Sequence, residues 1–403
     1  MKIALIAPSP VPFTSGGTES MVIEIQRLLN TQTFHQCEII KIPTREGSFW
    51  ELIESYHAFY SLDLSHFDAV ISTKYPSWMV NHPSQILYLV HPFRQVYDLY
   101  YKFSQPNDLQ GFDRYQQVQD ILEMTRAGDE KTSEIFDLLF SIRKDRSMYP
   151  KSLFNFPGPF LRAILRYFDR CALSTAHICR YYAISDHVKT REGYFPSDVP
   201  ITVLYPPTRR CPCPERLHPE RFALSVSRLA NTKRIDLLIR AMDHVNPDIH
   251  LKIVGEGPEE KKLRKLAKNN KRIEFLGFIR DKHLQELYSS AFCLLFVPKD
   301  EEYGLVIPEA MRCRKPVITT EDSGGPLELV QNGANGYIVS PDPKKIAEKM
   351  TYLYENPQYA REMGELGSSY IKGIEQEFLK EIESEFLHLN TPARKKFKIP
   401  DFF

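Results

Sequence analysis

The sequence predicts an α/β chain built from two doubly wound, Rossmann-like domains. Three observations predict it. Near the N-terminus an apolar run (Lys2 to Ala7), a glycine pair (Gly16-Gly17) and a helical pattern through Leu29 follow one another as strand, glycine loop and helix. From Phe222 to Val297, apolar runs of strand length alternate with helical patterns, which implies a parallel sheet covered on both faces. Between these halves the run Pro206-Pro207 to Pro214, with Pro219, carries neither periodicity and reads as a connection. We therefore place the domains at 1–206 and 207–372, followed by a helix at about 373–390 and a tail at 391–403.

Bulk composition excludes several function classes. Among 403 residues, 42% are hydrophobic, enough for ordinary cores. Lys plus Arg number 52 against 51 Asp plus Glu, so no global field points to nucleic acid as a partner. Seven cysteines, an odd number spread over a long chain, suit a reducing compartment better than a disulfide framework. Cys211-Pro-Cys213 is the only close pair, and it lacks a second pair or histidine at zinc-ligand spacing. The first apolar run is too short for a signal peptide, and no run reaches about 18 apolar residues. The expectation is a cytoplasmic protein without a membrane span.

In chain order, the loop Ser15-Gly16-Gly17-Thr18-Glu19 sits where a Rossmann-like unit brings glycine amides over a cleft. Cys37 to Ile42 and Phe67 to Thr73 read as strands, and Gln85 to Val90 as another that delivers His91 to its carboxyl end. A histidine there is a site candidate, and equally a loop cap. Residues 97 to 160 depart from a compact Rossmann pattern. Leu161 to Leu173 is an amphipathic helix, Ser185 is an N-cap, and Thr202 to Tyr205 is the last strand of the first half. His187 reads as structural.

The second half runs through strands Phe222 to Val226, His250 to Val254, Arg272 to Leu276 and Ala291 to Val297. Its helices cover Asp236 to Met242, up to Leu266, and Lys282 to Ser289. Arg228 and Lys233 stand at the mouth of the second sheet, where two fixed cations suit a diphosphate or are simply surface charges. The basic cluster Lys261 to Arg272 is most simply a solvated helix face. Helices at 342 to 354 and 357 to 383 close the chain.

The most informative stretch is Glu301-Glu302-Tyr303-Gly304-Leu305-Val306-Ile307-Pro308-Glu309. It reads as strand end, glycine loop and helix start, with Pro308 tolerated in the first turn. Glu301 and the amides of Gly304 and Leu305 then lie at the carboxyl ends of the strands, where ligands bind. Amides at a helix start attract phosphate, and paired carboxylates suit neutral hydroxyls. A phosphate-plus-sugar ligand fits both.

This segment resembles the glutamate-x7-glutamate signature of family 4 retaining glycosyltransferases. The likeness continues through Met311 to Thr320, Ser323-Gly324-Gly325, Glu328-Leu329-Val330, Asn332-Gly333 and Asn335-Gly336-Tyr337. It is strong from about 222 to 340 and looser from 1 to 206. The resemblance implies the GT-B fold, two such domains facing across a cleft with the last helix packing back on the first. It implies transfer of a sugar from a nucleoside diphosphate sugar to a hydroxyl of a glycan, lipid-linked or small-molecule acceptor, with retention. Glu301 would hold sugar hydroxyls, Glu309 the ribose, Arg228 and Lys233 the diphosphate, and His91 the donor sugar. Gly16 and Gly17 match the family's Gly-Gly-x-Glu.

Without an Asp-x-Asp pair, the expectation is no metal and no cofactor beyond the donor substrate. Four departures stand out: Arg234 replaces a usual glycine, Glu302 another, Cys313-Arg314 a small pair, and Pro298 stands where the family often has Pro-Ser. Two rivals remain, a sugar-nucleotide epimerase on this fold and an inactive partner subunit. The tail Arg394-Lys395-Lys396-Phe397-Lys398 with Phe402-Phe403 suits peripheral contact with an anionic inner membrane face, and an inert tail fits equally.

Overall fold

The computed structural model of the chain describes residues 1–11, 16–106, 109, 111–208 and 220–389. Ser15, most of the proline-rich connection, Cys211-Pro-Cys213 and the basic tail lie outside the described residues. The first half forms β1 (Lys2–Pro10), α1 (Gly17–Gln32), β2 (Gln36–Thr44), α2 (Phe49–Tyr60), β3 (Ala69–Ser72) and β4 (Gln85–Leu89). It continues with α3 (Gln116–Arg126), α4 (Thr132–Lys144), α5 (Pro159–Ala172), β5 (Ile178–Ala183), α6 (Asp186–Lys189) and β6 (Ile201–Val203). Its six strands pair in parallel in the order β2-β1-β3-β4-β5-β6.

The second half holds β7 (Phe222–Val226), α7 (Ile235–Ala241), β8 (His250–Val254), α8 (Glu260–Ala267), β9 (Ile273–Gly277), α9 (Asp281–Ser290) and β10 (Cys293–Leu295). After these come α10 (Val306–Arg312), β11 (Val317–Thr320), α11 (Pro326–Leu329), β12 (Gly336–Val339), α12 (Pro343–Glu355) and α13 (Pro357–Leu389). Its sheet is also parallel, ordered β12-β11-β10-β7-β8-β9.

Strands β3, β4, β7, β10 and β11 are buried at every residue, the mark of a parallel sheet covered on both faces. That is why they read as unbroken apolar runs. The predicted strand 291–297 shortens to β10 because its ladder to β7 and β11 spans only the middle, while the flanking residues stay buried. Helix starts follow local chemistry. Ser48 accepts from the Glu51 amide at 3.4 Å while the Glu51 carboxylate accepts from the Gly47 amide at 3.1 Å, a reciprocal cap on α2. Ser185 caps α6 as expected, accepting from the Val188 amide at 3.0 Å.

Segment 97–160, irregular as a sequence, folds around α3 and α4. Its aromatic residues bury against α2 and α5, with Phe136 and Phe168 stacked at 4.5 Å and Phe49 and Phe154 edge-on at 5.3 Å. The last helix is one 33-residue element. Its middle lies on α10, where Arg312 pairs with Glu375. Its second half lies on the first sheet: Tyr88 faces Phe378 at 5.9 Å, Tyr182 Oη donates to Glu381 at 3.1 Å, and Arg180 Nε to Glu385 at 2.8 Å.

Among the described residues, Cys37, Cys171 and Cys293 stand outside any disulfide, whereas Cys313 is disulfide-bonded.

Candidate active site

In each sheet the strand order reverses once, and a crevice opens at the carboxyl ends of the strands flanking the reversal. In the second sheet those strands are β7 and β10. The loop after β7 carries Arg228 and Lys233, and the loop after β10 carries Glu301, Gly304 and Leu305. In the first sheet they are β1 and β3, so Gly16 and Gly17 follow one of them directly.

Lys233 and Glu301 form an ion pair, both side chains mostly buried, and the ammonium also sits 5.5 Å over the Phe296 ring. Arg228 is exposed nearby in sequence and has no side-chain partner among the described residues. Gly304 turns the chain with φ +88, and a Cβ there would lie 2.7 Å from the Phe296 ring, so only glycine fits. The Gly304 and Leu305 amides just before α10 donate no hydrogen bond among the described residues, which leaves two donors in the loop whose Glu301 pairs with Lys233. Glu309 accepts from the buried Tyr288 hydroxyl at 2.9 Å, which fixes the second carboxylate one turn into α10.

The Glu301 loop is held from behind. Its amide donates to Ser323 O at 2.9 Å and its carbonyl accepts from the Gly325 amide at 2.9 Å. Ser323-Gly324-Gly325, visible in the sequence without an assigned task, is thus the seat of this loop. Arg234 resolves another departure. It adopts the left-handed conformation (φ 49, ψ 41) that glycine would take most easily. Its guanidinium reaches Val297 O at 2.9 Å, Pro298 O at 2.6 Å, Thr320 Oγ1 at 2.7 Å and both Asp322 oxygens at 2.7 Å. Five hydrogen bonds across the loops after β7, β10 and β11 hold the strained turn.

The first half supplies the opposite wall. A Cβ on Gly17 would lie 3.0 Å from Leu305 Cδ1, so its absence lets the start of α1 approach the Glu301 loop closely. His91 Nδ1 lies 2.8 Å from Pro92 O; a carbonyl can only accept, so the proton sits on Nδ1 and Nε2 remains an acceptor. Burial, with Lys74 nearby, pushes His91 down to about 4, so it is neutral at pH 7. His187 binds Asp300 at 2.9 Å and belongs to the contact between the halves, in keeping with a structural part.

Sequence reasoning missed Arg94, Asp98, Arg191 and Asp300. Arg94 contacts Glu302 at 2.6 Å and Asp300 at 2.8 Å. The one available signal was Glu302 itself, a carboxylate in a loop packed too tightly to leave it without a cation. Burial pushes the Glu302 carboxyl up, and His91, Arg94 and Arg191 together hold it below its usual range. With His91 neutral, the two arginines are the charges that persist at pH 7. Beside Asp300 an open cleft of about 350 Å³ is lined by Asp186, Glu321, Asp322 and Glu328. Its acidity makes it a poor seat for phosphate, so the anionic half of a ligand belongs on the Lys233 side.

Residues 214–369 match the family described as glycosyl transferases group 1. Human alpha-1,3/1,6-mannosyltransferase ALG2 is 28% identical over 169 residues, 37% of this chain and 40% of that protein. N-acetyl-alpha-D-glucosaminyl L-malate synthase of Bacillus anthracis is 30% identical over 152 residues, 36% of this chain and 39% of that protein. The chain thus spans about two fifths of the length of the curated relatives it matches. Among solved structures, sucrose-phosphate synthase from Thermosynechococcus elongatus aligns with TM-score 0.62 and 16% identity, over 96% of this chain and 98% of that one. HepE of Anabaena, solved with UDP and glucose, aligns with TM-score 0.56 and 15% identity, over 95% and 100%. The two-domain architecture is that of the GT-B fold.

Proposed function

Because residues 214–369 match the glycosyl transferases group 1, we propose that this chain transfers a sugar from a nucleoside diphosphate sugar to an acceptor hydroxyl. The observation that carries this reading is the meeting of Lys233, Glu301 and the open Gly304 and Leu305 amides at the reversal of the second sheet. Cations and amides face the diphosphate there, and carboxylates face hydroxyls. Arg228 and Lys233 stabilise the charge that builds on the departing diphosphate, a task for which preorganised donors are effective. Glu309 takes the ribose. Glu301 leaves Lys233 for the sugar hydroxyls when the diphosphate claims the ammonium.

We read the transfer as retaining and independent of metal. The bond from the anomeric carbon to the diphosphate oxygen breaks, and the acceptor oxygen bonds to that carbon on the same face. The acceptor proton passes to the departing phosphate oxygen, and neutral His91 orients the sugar through Nε2. Gly16 and Gly17 leave room at the cleft for donor or acceptor. The acceptor is a glycan, lipid-linked or small molecule, and the work is placed in the cytoplasm from the sequence alone. Among the described residues no helix is long and apolar enough to cross a membrane.

The test is thermal-shift screening with UDP-, GDP- and dTDP-sugars, then NMR of the product formed in excess chelator. Stabilisation by a nucleotide sugar is expected, since a ligand of the folded state raises apparent stability. An inverted anomeric centre, or activity that returns only with magnesium, would falsify the mechanism.

A further inference from the structure

Glu301 is flanked by Asp300 and Glu302, and both neighbours reach across to the other half of the molecule. Arg94 follows β4 three residues after His91, and donates to Glu302 Oε1 at 2.6 Å and to Asp300 Oδ2 at 2.8 Å. Arg191 follows α6 and donates to Asp300 Oδ1 at 2.9 Å, the oxygen that His187 Nε2 also meets at 2.9 Å. Behind them Asp98 braces both arginines, at 2.5 Å to Arg94 and 2.6 Å to Arg191. The Ser185 hydroxyl donates to Glu302 O at 2.6 Å. Carboxylates and guanidiniums thus alternate through a mostly buried seam.

This seam grips a residue with a strained backbone. Asp300 has φ +59, a left-handed state unfavourable for a residue with a side chain. The cations that fix it all belong to the first half. Burial pushes the Asp300 carboxyl up, and His187, Arg191 and Arg94 outweigh this and draw it well below its ordinary range. The loop that presents Glu301 is therefore held from behind by Ser323 and Gly325 in its own half, and on its other side by side-chain contacts to the first half.

We propose that Arg94 and Arg191 are positioning residues that aim Glu301 at the donor sugar on closure, leaving nucleotide binding to the second half alone. This rests on the reading of Glu301 as a sugar ligand. Turnover should then depend on the seam and nucleotide affinity should not. Arg228, Lys233, Glu309 and the Gly304 and Leu305 amides all belong to the second half.

The experiment uses Arg94→Met, Arg94→Lys and Glu302→Gln in the full chain. Turnover is followed as nucleotide release from UDP-GlcNAc and GDP-mannose, affinity by titration with UDP and GDP, and loop order by hydrogen exchange of the 299–305 segment. We expect Arg94→Met to exchange faster across this segment. Its kcat should fall at least about 30-fold while UDP or GDP affinity stays within about threefold. Arg94→Lys should recover part of the rate, and Arg94→Met combined with Glu302→Gln should be no slower than the slower single variant. Unchanged exchange in Arg94→Met overturns the proposal, as does a loss of affinity equal to the loss of rate in folded protein. Glu301→Gln separates the two readings. Normal turnover in that variant removes its role on the sugar, whereas a slow Glu301→Gln beside a normal Arg94→Met removes the seam alone.

Discussion

Asp169 and Asp300 are the same residue type placed in two kinds of surroundings. Asp169, in the core of the first half, accepts from Tyr56 Oη at 3.1 Å, Trp78 Nε1 at 2.8 Å and Tyr97 Oη at 2.7 Å. Asp300, at the seam, meets two guanidiniums and an imidazole. Burial pushes Asp169 up to about 6 even though three donors pull the other way, while Asp300 is drawn below its ordinary range. Neutral donors, even with Arg166 pulling the same way, do not offset desolvation of a carboxylate in a sealed aromatic core; two cations at a wetter contact more than offset it. The first site lies within one half, and the second joins the two halves.

The largest effect should come from the core site. Asp169→Ala leaves three buried donors without a partner and should cost about 3 to 5 kcal/mol in urea unfolding. Asp300→Asn, on a side chain 44% exposed, should leave stability nearly unchanged and reduce turnover. A mild Asp169→Ala would erase the contrast.

Next comes pH. Asp169 rises from an unfolded value of 3.8 to about 6, so between them the folded state holds more protons. Its contribution is fully present below about 4 and is lost as pH rises through about 6, a change of roughly 2 to 3 kcal/mol. Asp300 runs the other way: its contribution is present above 3.8 and is lost as pH falls. His91, lowered from 6.5 to about 4, also loses its contribution as pH falls through that window. Stability measured from pH 4 to 7 should therefore gain a steeper rise with pH in Asp169→Asn than in the wild type. A steeper rise in the wild type sinks the assignment.

Arg234 sharpens the comparison from within one half, where a charged fork holds a strained turn. Arg234→Gly relieves the left-handed backbone but removes all five bonds, and Asp322 loses the cation that, against burial, lowers it. A net loss of about 1 to 2 kcal/mol is expected in urea unfolding. At the small end stands Arg221–Asp248, 3.1 Å apart with side chains 68% and 59% exposed. Arg221→Ala should change stability by less than about 0.5 kcal/mol.

Local chemistry determined much of this protein in advance. Strand β7 falls where its apolar run begins and ends, because a strand buried on both faces has no polar alternation to blur it. Ser185 at a helix start and the glycine at 304 were legible for the same reason: a cap and a positive φ are properties of a few adjacent residues. Arg228, Lys233, Glu301 and Glu309 follow the buried strands β7 and β10, and it was the resemblance to a family motif that singled them out as site candidates. What only the tertiary structure decided is how the halves meet. Nothing near Arg94 or Arg191 in the chain announces a partner at Asp300 or Glu302, more than a hundred residues away. Nor does periodicity show that Ser323 to Gly325 would seat the Glu301 loop, or that Asp169 would gather Tyr56, Trp78 and Tyr97. Periodicity reports which face of an element is covered, and charge pairing across a seam depends on where two separately folded surfaces come to rest.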